Sequence, residues 1–179
     1  MCRYSLSLGS IFPDFDNVLY LEEAVLGEKL QSPNKLIVAG WREWVSLPGL
    51  GINSLKAKMD TGARTSCLHA FEVEAFEKTG ESWVRFSIHP NQNETDTVIQ
   101  CEAQVLDYRK VTDSGGHSEL RYVIRTTVYF GEHYWPAEVT LTNRDNMKFR
   151  MLIGRTAMSD RIVINPALSF QFGLTGVKK

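Results

Sequence analysis

Lys56-Ala57-Lys58-Met59-Asp60-Thr61-Gly62-Ala63 decides the reading of this chain, because in it a strand runs straight into an acid on a tight turn. A carboxylate is thereby delivered at a strand end. Gly62 is expected to take a conformation that glycine favours and to bring its N–H close to that carboxylate. Thr61 is expected to hydrogen-bond across a symmetric partner and stiffen the turn. A second segment, Arg150-Met151-Leu152-Ile153-Gly154-Arg155, is an apolar strand that ends in Gly-Arg and leads into a short helix, Thr156–Asp160. Two readings of Asp60 follow from the residues: a reactive carboxylate, or a turn aspartate that caps local N–H groups.

Outward from these segments the pattern has period two. Leu36-Ile37-Val38-Ala39 and Trp41-Arg42-Glu43-Trp44-Val45 read as strands. In Ser82–Ile88, Val84, Phe86 and Ile88 share a face; in Arg121–Phe130, Tyr122, Ile124, Val128 and Phe130 do so, with Arg121, Arg125 and Tyr129 opposite. Trp135, Ala137, Val139 and Leu141 alternate with Pro136, Glu138 and Thr140. Turn clusters such as Asn91-Gln92-Asn93 and Asp113-Ser114-Gly115-Gly116 separate the runs, the second being either a flap over a cleft or a plain hairpin end. The expected fold class is all-β, or mostly β: a closed barrel with one short helix. Residues 1–35 differ. Leu19, Leu21, Ala24, Val25 and Leu30 suggest a short amphipathic helix, so residues 1–35 are expected to be an N-terminal appendage and residues 36–179 the domain proper.

With 43% hydrophobic and 23% charged residues, the chain can build a real core and is not disordered as a whole. The net charge of −1 argues against a general nucleic-acid or membrane-surface binder. No stretch is long and apolar enough to span a bilayer, and the first residues make a poor secretory signal. Cys2, Cys67 and Cys101 form no close pair, which points to a reducing compartment and hence the cytoplasm.

The order Asp60-Thr61-Gly62-Ala63, then Ile153-Gly154-Arg155 and a helix, resembles the retroviral-type aspartic proteases. More closely, the chain resembles a bacterial retropepsin-like aspartic peptidase family often labelled ATP-dependent zinc proteases. The blocks that carry the resemblance are Gly40–Pro48, Ala57–Ser66, Leu141–Arg144 with Met147, and Met151–Arg155, within roughly Leu36 to Phe172. The resemblance implies an acid-protease barrel in which the two motif segments cross as the floor of a catalytic site. Asp60, with Thr61 and Gly62, would activate water for peptide-bond hydrolysis. Two carboxylates sharing one proton do that work. One Asp-Thr-Gly per chain therefore implies a homodimer with Asp60 contributed by each copy.

The chain departs from the retroviral pattern at Arg64, where an acid usually stands to pair with the arginine of Gly-Arg. Arg155 must then bond other groups or face substrate, and a cation beside Asp60 works against proton sharing between two carboxylates. Arg64, Arg155 and Arg144 are the candidate substrate-binding residues, with structural roles at carbonyls or Glu43 as the alternative. Lys56, Lys58, Lys148, Arg150 and Arg161 add to a basic rim suited to acidic peptides, or simply to a solvated basic face. The resemblance points toward the former, since some members accompany ligases that add glutamate tails to ribosomal proteins. No metal or cofactor is expected. Cys67 and His69 share a strand face but fall short of the ligand set a zinc site needs, and no glycine-rich phosphate loop precedes a helix. The competing class is a non-catalytic peptide-binding or dimerisation module with the same fold.

Overall fold

The computed structural model describes residues 36–92, 94–112, 115–143 and 148–173. The expected N-terminal appendage and Arg144 lie outside the described residues. Strands make up 63% of what is described. They are β1 (Ile37–Gly40), β2 (Arg42–Leu47), β3 (Ile52–Met59), β4 (Ser66–His69), β5 (Phe71–Lys78), β6 (Glu81–Ile88), β7 (Ile99–Thr112), β8 (Ser118–Phe130), β9 (His133–Thr142), β10 (Met151–Ile153) and β11 (Ile162–Asn165). A 3-10 turn, Pro48–Leu50, joins β2 to β3, and one short helix, α1 (Arg155–Met158), follows β10.

Six strands close a barrel in the order β2-β3-β10-β4-β9-β8, with Ser46 opposite Tyr129 completing the ring from β2 back to β8. The expected closed, mostly β architecture is therefore what the chain adopts. Outside the ring the sheet continues through β7, β6 and β5. β7 is long enough to serve two neighbours. Ile99–Gln104 pairs with β6, and Val105–Thr112 pairs with β8. β1 and β11 form a separate parallel pair, Ile37 opposite Ile162.

Alternation places the core as the sequence pattern implies. Val84, Phe86, Ile124, Val128, Phe130 and Val139 are all fully buried. Each such side chain contributes about 1.5–3 kcal/mol by leaving water. β4 breaks the alternation, since Ser66, Cys67, Leu68 and His69 are all buried. The reason is its place between β10 and β9, with both faces covered. Arg121, on the supposedly polar face of β8, is only 7% exposed. The helix differs slightly from the sequence reading. It starts at Arg155 and stops at Met158, because Ser159 leaves helical backbone at ψ 132° and Asp160 then turns to the left-handed φ of 61°.

Glu43 is a buried acid that ties Gly40 and Phe172, on either side of the barrel strands in sequence, to β2. It is fully buried, and its Oε1 accepts the Gly40 N–H at 2.6 Å while Oε2 accepts that of Phe172 at 3.4 Å. Satisfying a buried carboxylate in this way avoids the several kcal/mol that an unpaired one costs.

Candidate active site

The site begins where β3 ends. β10 is inserted between β3 and β4, parallel to the first (Ile153 opposite Met59) and antiparallel to the second (Met151 opposite Leu68). The Asp60 N–H donates to the Ile153 carbonyl at 2.9 Å, carrying the ladder one residue past the strand. Beyond it the chain turns. Asp60 Oδ1 accepts the N–H groups of Gly62 at 3.0 Å and Ala63 at 3.3 Å.

The capping role foreseen for Asp60 is real, but it engages one oxygen only. Among the described residues nothing hydrogen-bonds Oδ2. Gly62 does not adopt a left-handed φ, but its N–H approaches the carboxylate as the sequence reading expects. Its value lies in close approach, since a Cβ there would sit 3.2 Å from Asp60 Oδ1. Thr61 is exposed, and its hydroxyl has no partner among the described residues.

The second motif crosses directly against this turn. The backbone N–H of Arg155 donates to the Ala63 carbonyl at 2.9 Å, and Thr156 donates to the Arg64 carbonyl from both N (3.0 Å) and Oγ1 (3.1 Å). Gly154 is what permits the crossing. A Cβ there would lie 2.5 Å from the Thr65 carbonyl carbon and 2.8 Å from the Arg64 oxygen, both backbone atoms. Its N–H donates to the buried Ser66 hydroxyl at 3.1 Å. Arg155 Nη1 donates to the carbonyls of Thr61 at 2.8 Å and Gly62 at 3.1 Å. With an arginine at position 64 in place of an acid, the guanidinium bonds carbonyls and meets no acid among the described residues.

Above the turn lies a cleft of about 650 Å³. Arg109 to Thr112 at the end of β7 and Arg121 on β8 form its other wall. Its charged lining consists of Asp60, Arg64, Arg109, Lys110, Arg121 and Arg155, a single carboxylate among five cations. Arg109 is held by Asp107 at 3.3 Å and Glu138 at 2.9 Å, and Arg121 by Glu119. Arg64, Lys110 and Arg155 have no acidic partner among the described residues. Arg109, Lys110 and Arg121 were not recognised as site residues in the sequence. The only signal was a basic pair facing another cation across a hairpin. Their placement depends on the register that sets Arg109 opposite Arg121.

Cys67 lines the same cleft, with Arg121 Nη1 3.7 Å from its sulfur. His69, also buried, follows it on β4. No group of three His, Cys, Asp or Glu side chains able to hold a metal occurs among the described residues. Cys101 sits elsewhere, in the core, where burial pushes its thiol up to about 11. The four tryptophans are half-buried packing residues; Trp135, for one, donates its indole N–H to the Ala157 carbonyl at 2.8 Å. No helix among the described residues is long and apolar enough to cross a membrane.

Comparison with known proteins agrees with this geometry. The chain is 46% identical over 145 residues to a probable alpha-L-glutamate ligase of Shewanella pealeana, covering 81% of this chain and 31% of that protein. It is 48% identical over 137 residues to the probable alpha-L-glutamate ligase of Parasynechococcus marenigrum, covering 76% and 29%. The chain thus spans about a third of the length of these curated relatives. A crystal structure of a Legionella pneumophila protein of unknown function superposes with a TM-score of 0.64 at 27% identity, covering 77% of this chain and 99% of the other. A family model described as RimB-like, the retropepsin-like aspartic endopeptidase RimB, matches residues 38–172. With the Asp60 turn and the Gly154 crossing inside that span, this chain belongs to the RimB-like family of retropepsin-like aspartic endopeptidases.

Proposed function

We propose that the domain is an aspartic-type peptidase that acts in the cytoplasm as a homodimer on acidic peptides, including glutamate-tailed ones. The observation that carries this reading is the division of labour at Asp60. Oδ1 is fixed by two backbone N–H groups, which orients the carboxyl group, while Oδ2 has no hydrogen bond among the described residues. That is the arrangement a general base needs.

In the proposed reaction Oδ2 takes a proton from water as its oxygen attacks the scissile carbonyl. A second, protonated carboxyl group hydrogen-bonds the carbonyl oxygen. The tetrahedral diol then collapses, the C–N bond breaks, and the proton passes to the leaving amine. Among the described residues the cleft of one chain has only Asp60 as a carboxylate, so the second group is Asp60 of a second copy. The free Thr61 hydroxyl beside it fits a bond across that two-fold. The charge balance of the cleft supports an acidic substrate, because clefts lined by one sign of charge concentrate the opposite sign. The relatives' name adds support. A segment similar to this chain forms about a third of proteins named probable alpha-L-glutamate ligase, where glutamate-bearing peptides would be at hand.

The test is Asp60→Asn, which is nearly isosteric and cannot act as the base. We expect hydrolysis of glutamate-rich peptides to fall by about 10²–10⁴-fold, the usual weight of general-base catalysis, with circular dichroism unchanged. Full activity in this variant would end the aspartic-peptidase reading. Sedimentation of the wild type should detect a dimer, at least with peptide present. A strict monomer that still cleaves would require a different second group.

A further inference from the structure

Beside the cleft lies a second cavity of about 390 Å³, where Arg64, Arg109 and Arg125 surround Glu138. We propose that this side cavity is a carboxylate-reading subsite for an acidic residue of the peptide away from the scissile bond, and that Glu138 occupies it as a built-in competitor. The inference rests on the peptidase reading above, and it adds Arg125 and Glu138, neither of which lines the cleft around Asp60.

Arg64, Thr65 and Arg109 line both cavities, so an extended peptide lying past Asp60 passes directly into the side cavity. Alternate side chains of an extended strand point the same way about 6.6 Å apart, so one chain can present acids to both places. Three guanidinium groups here face one lining carboxylate. Glu138 is engaged unevenly. Its Oε2 meets Arg109 at 2.9 Å, but Oε1 stands 3.9 Å from Arg125, and Arg64 has no acidic partner among the described residues. Arg125 is 63% exposed and Glu138 36% exposed. Pairs this exposed add little to stability, so an incoming carboxylate can take over Arg125 without loosening the fold.

The backbone register gives a second reason. Arg109 lies directly opposite Arg121 on β7 and β8, a like-charge pairing that antiparallel sheets avoid because it is destabilising. Arrangements that break a local rule with no gain in packing concentrate at sites of function. Arg121 lines the main cleft and Arg109 lines both cavities, so the gain is a run of guanidinium groups leading from one to the other, which recognise carboxylates through paired N–H donors.

The experiment measures peptide binding by Asp60→Asn protein, where cleavage cannot interfere. The probes are tetraglutamate with a free or an amidated C-terminus, and N-acetylated tetraglutamine amide. We expect Arg125→Ala to weaken tetraglutamate binding about tenfold, and Glu138→Gln to tighten it about tenfold, a step of about 1.4 kcal/mol each. Tetraglutamine amide, as the uncharged control, should respond to neither. A gain of affinity on removing an acid is not what a structural role for Glu138 produces. Retained binding by amidated tetraglutamate assigns the subsite to a side chain, whereas binding that needs the free C-terminus assigns it to the terminal carboxylate. Unchanged tetraglutamate affinity in both variants, or equal shifts for the uncharged control, would overturn the proposal. If wild-type protein fails to cleave while these shifts appear, the peptidase reading falls and the subsite stands.

Discussion

The two walls of the cleft are built on opposite terms. The floor, from Met59 to Ala63 and from Ile153 to Thr156, is held by backbone hydrogen bonds and by glycine at the point of contact. The opposite wall, the outer part of β7 and β8, is held by one pairing register and presents exposed or salt-bridged arginines. The floor can change little without losing its geometry. The arm can exchange side chains freely, so in the proposed peptidase it is the place to set specificity while the floor supplies the reaction. Each region therefore predicts a different response to mutation.

Gly154→Ala strikes the floor hardest. The new methyl group would meet the Thr65 and Arg64 backbone at 2.5–2.8 Å, and no side-chain rotation can relieve it. Overpacking of this kind costs about 1–3 kcal/mol, measurable by urea titration. Because the strain falls on the segment that carries Asp60, peptide hydrolysis should be nearly abolished as well. Normal activity in a normally stable Gly154→Ala protein would show that the two motifs are not in rigid contact.

Arg155→Ala should act less severely on the same region. Its guanidinium bonds two exposed carbonyls, which water can satisfy, so stability should fall by no more than about 1 kcal/mol. Hydrolysis of acidic peptides should fall about tenfold, equivalent to 1.4 kcal/mol, through looser positioning of the turn. A loss confined to KM for acidic peptides, with kcat intact, would move Arg155 from positioning the turn to binding the substrate.

This contrast also accounts for what could be read in the sequence. Period-two runs marked β6, β8 and β9 because each has one face in the core, as Val84, Phe86 and Ile88 show. The meeting of Asp60 with Ile153-Gly154-Arg155 was legible because short motifs with glycine constraints describe backbone geometry directly. The arginines of the arm were not. Arg121 and Arg125 read as a solvated face, and only the register with β7 and β9 reveals that one is buried beside Cys67 and the other stands over Glu138. For Gly62 the approach of its N–H to the carboxylate was legible, and only the left-handed conformation is not adopted.

For the arm, salt is the gentler probe. Lys110 on the arm, facing Arg64 beside the Asp60 turn, lines the cleft without an acidic partner among the described residues, so its attraction for a peptide is screened over about 8–10 Å at moderate ionic strength. Raising salt should increase KM for glutamate-rich peptides severalfold and leave neutral peptides unaffected, with kcat unchanged in both. Equal salt responses for the two peptides would remove the arm from substrate selection.

The smallest effect lies at the root of the same strand. β7 is a core strand before it becomes the arm. Cys101 is 3% exposed, and its thiol donates to the Leu50 carbonyl at 3.3 Å. Burial raises its pKa from 9.0 to about 11, so the folded protein holds this proton more tightly than the unfolded chain does. The associated stability is fully present below about pH 9 and is lost as the pH rises through about 11. The thiol should therefore resist alkylation at neutral pH in the native state and react once the protein is unfolded. Replacing it by alanine should flatten the fall in stability between pH 9 and 11 relative to wild type, at a small constant cost in packing. Rapid alkylation of Cys101 in the native protein at neutral pH would mean that the root opens along with the arm, and the division of β7 into a fixed half and an adaptable half would not hold.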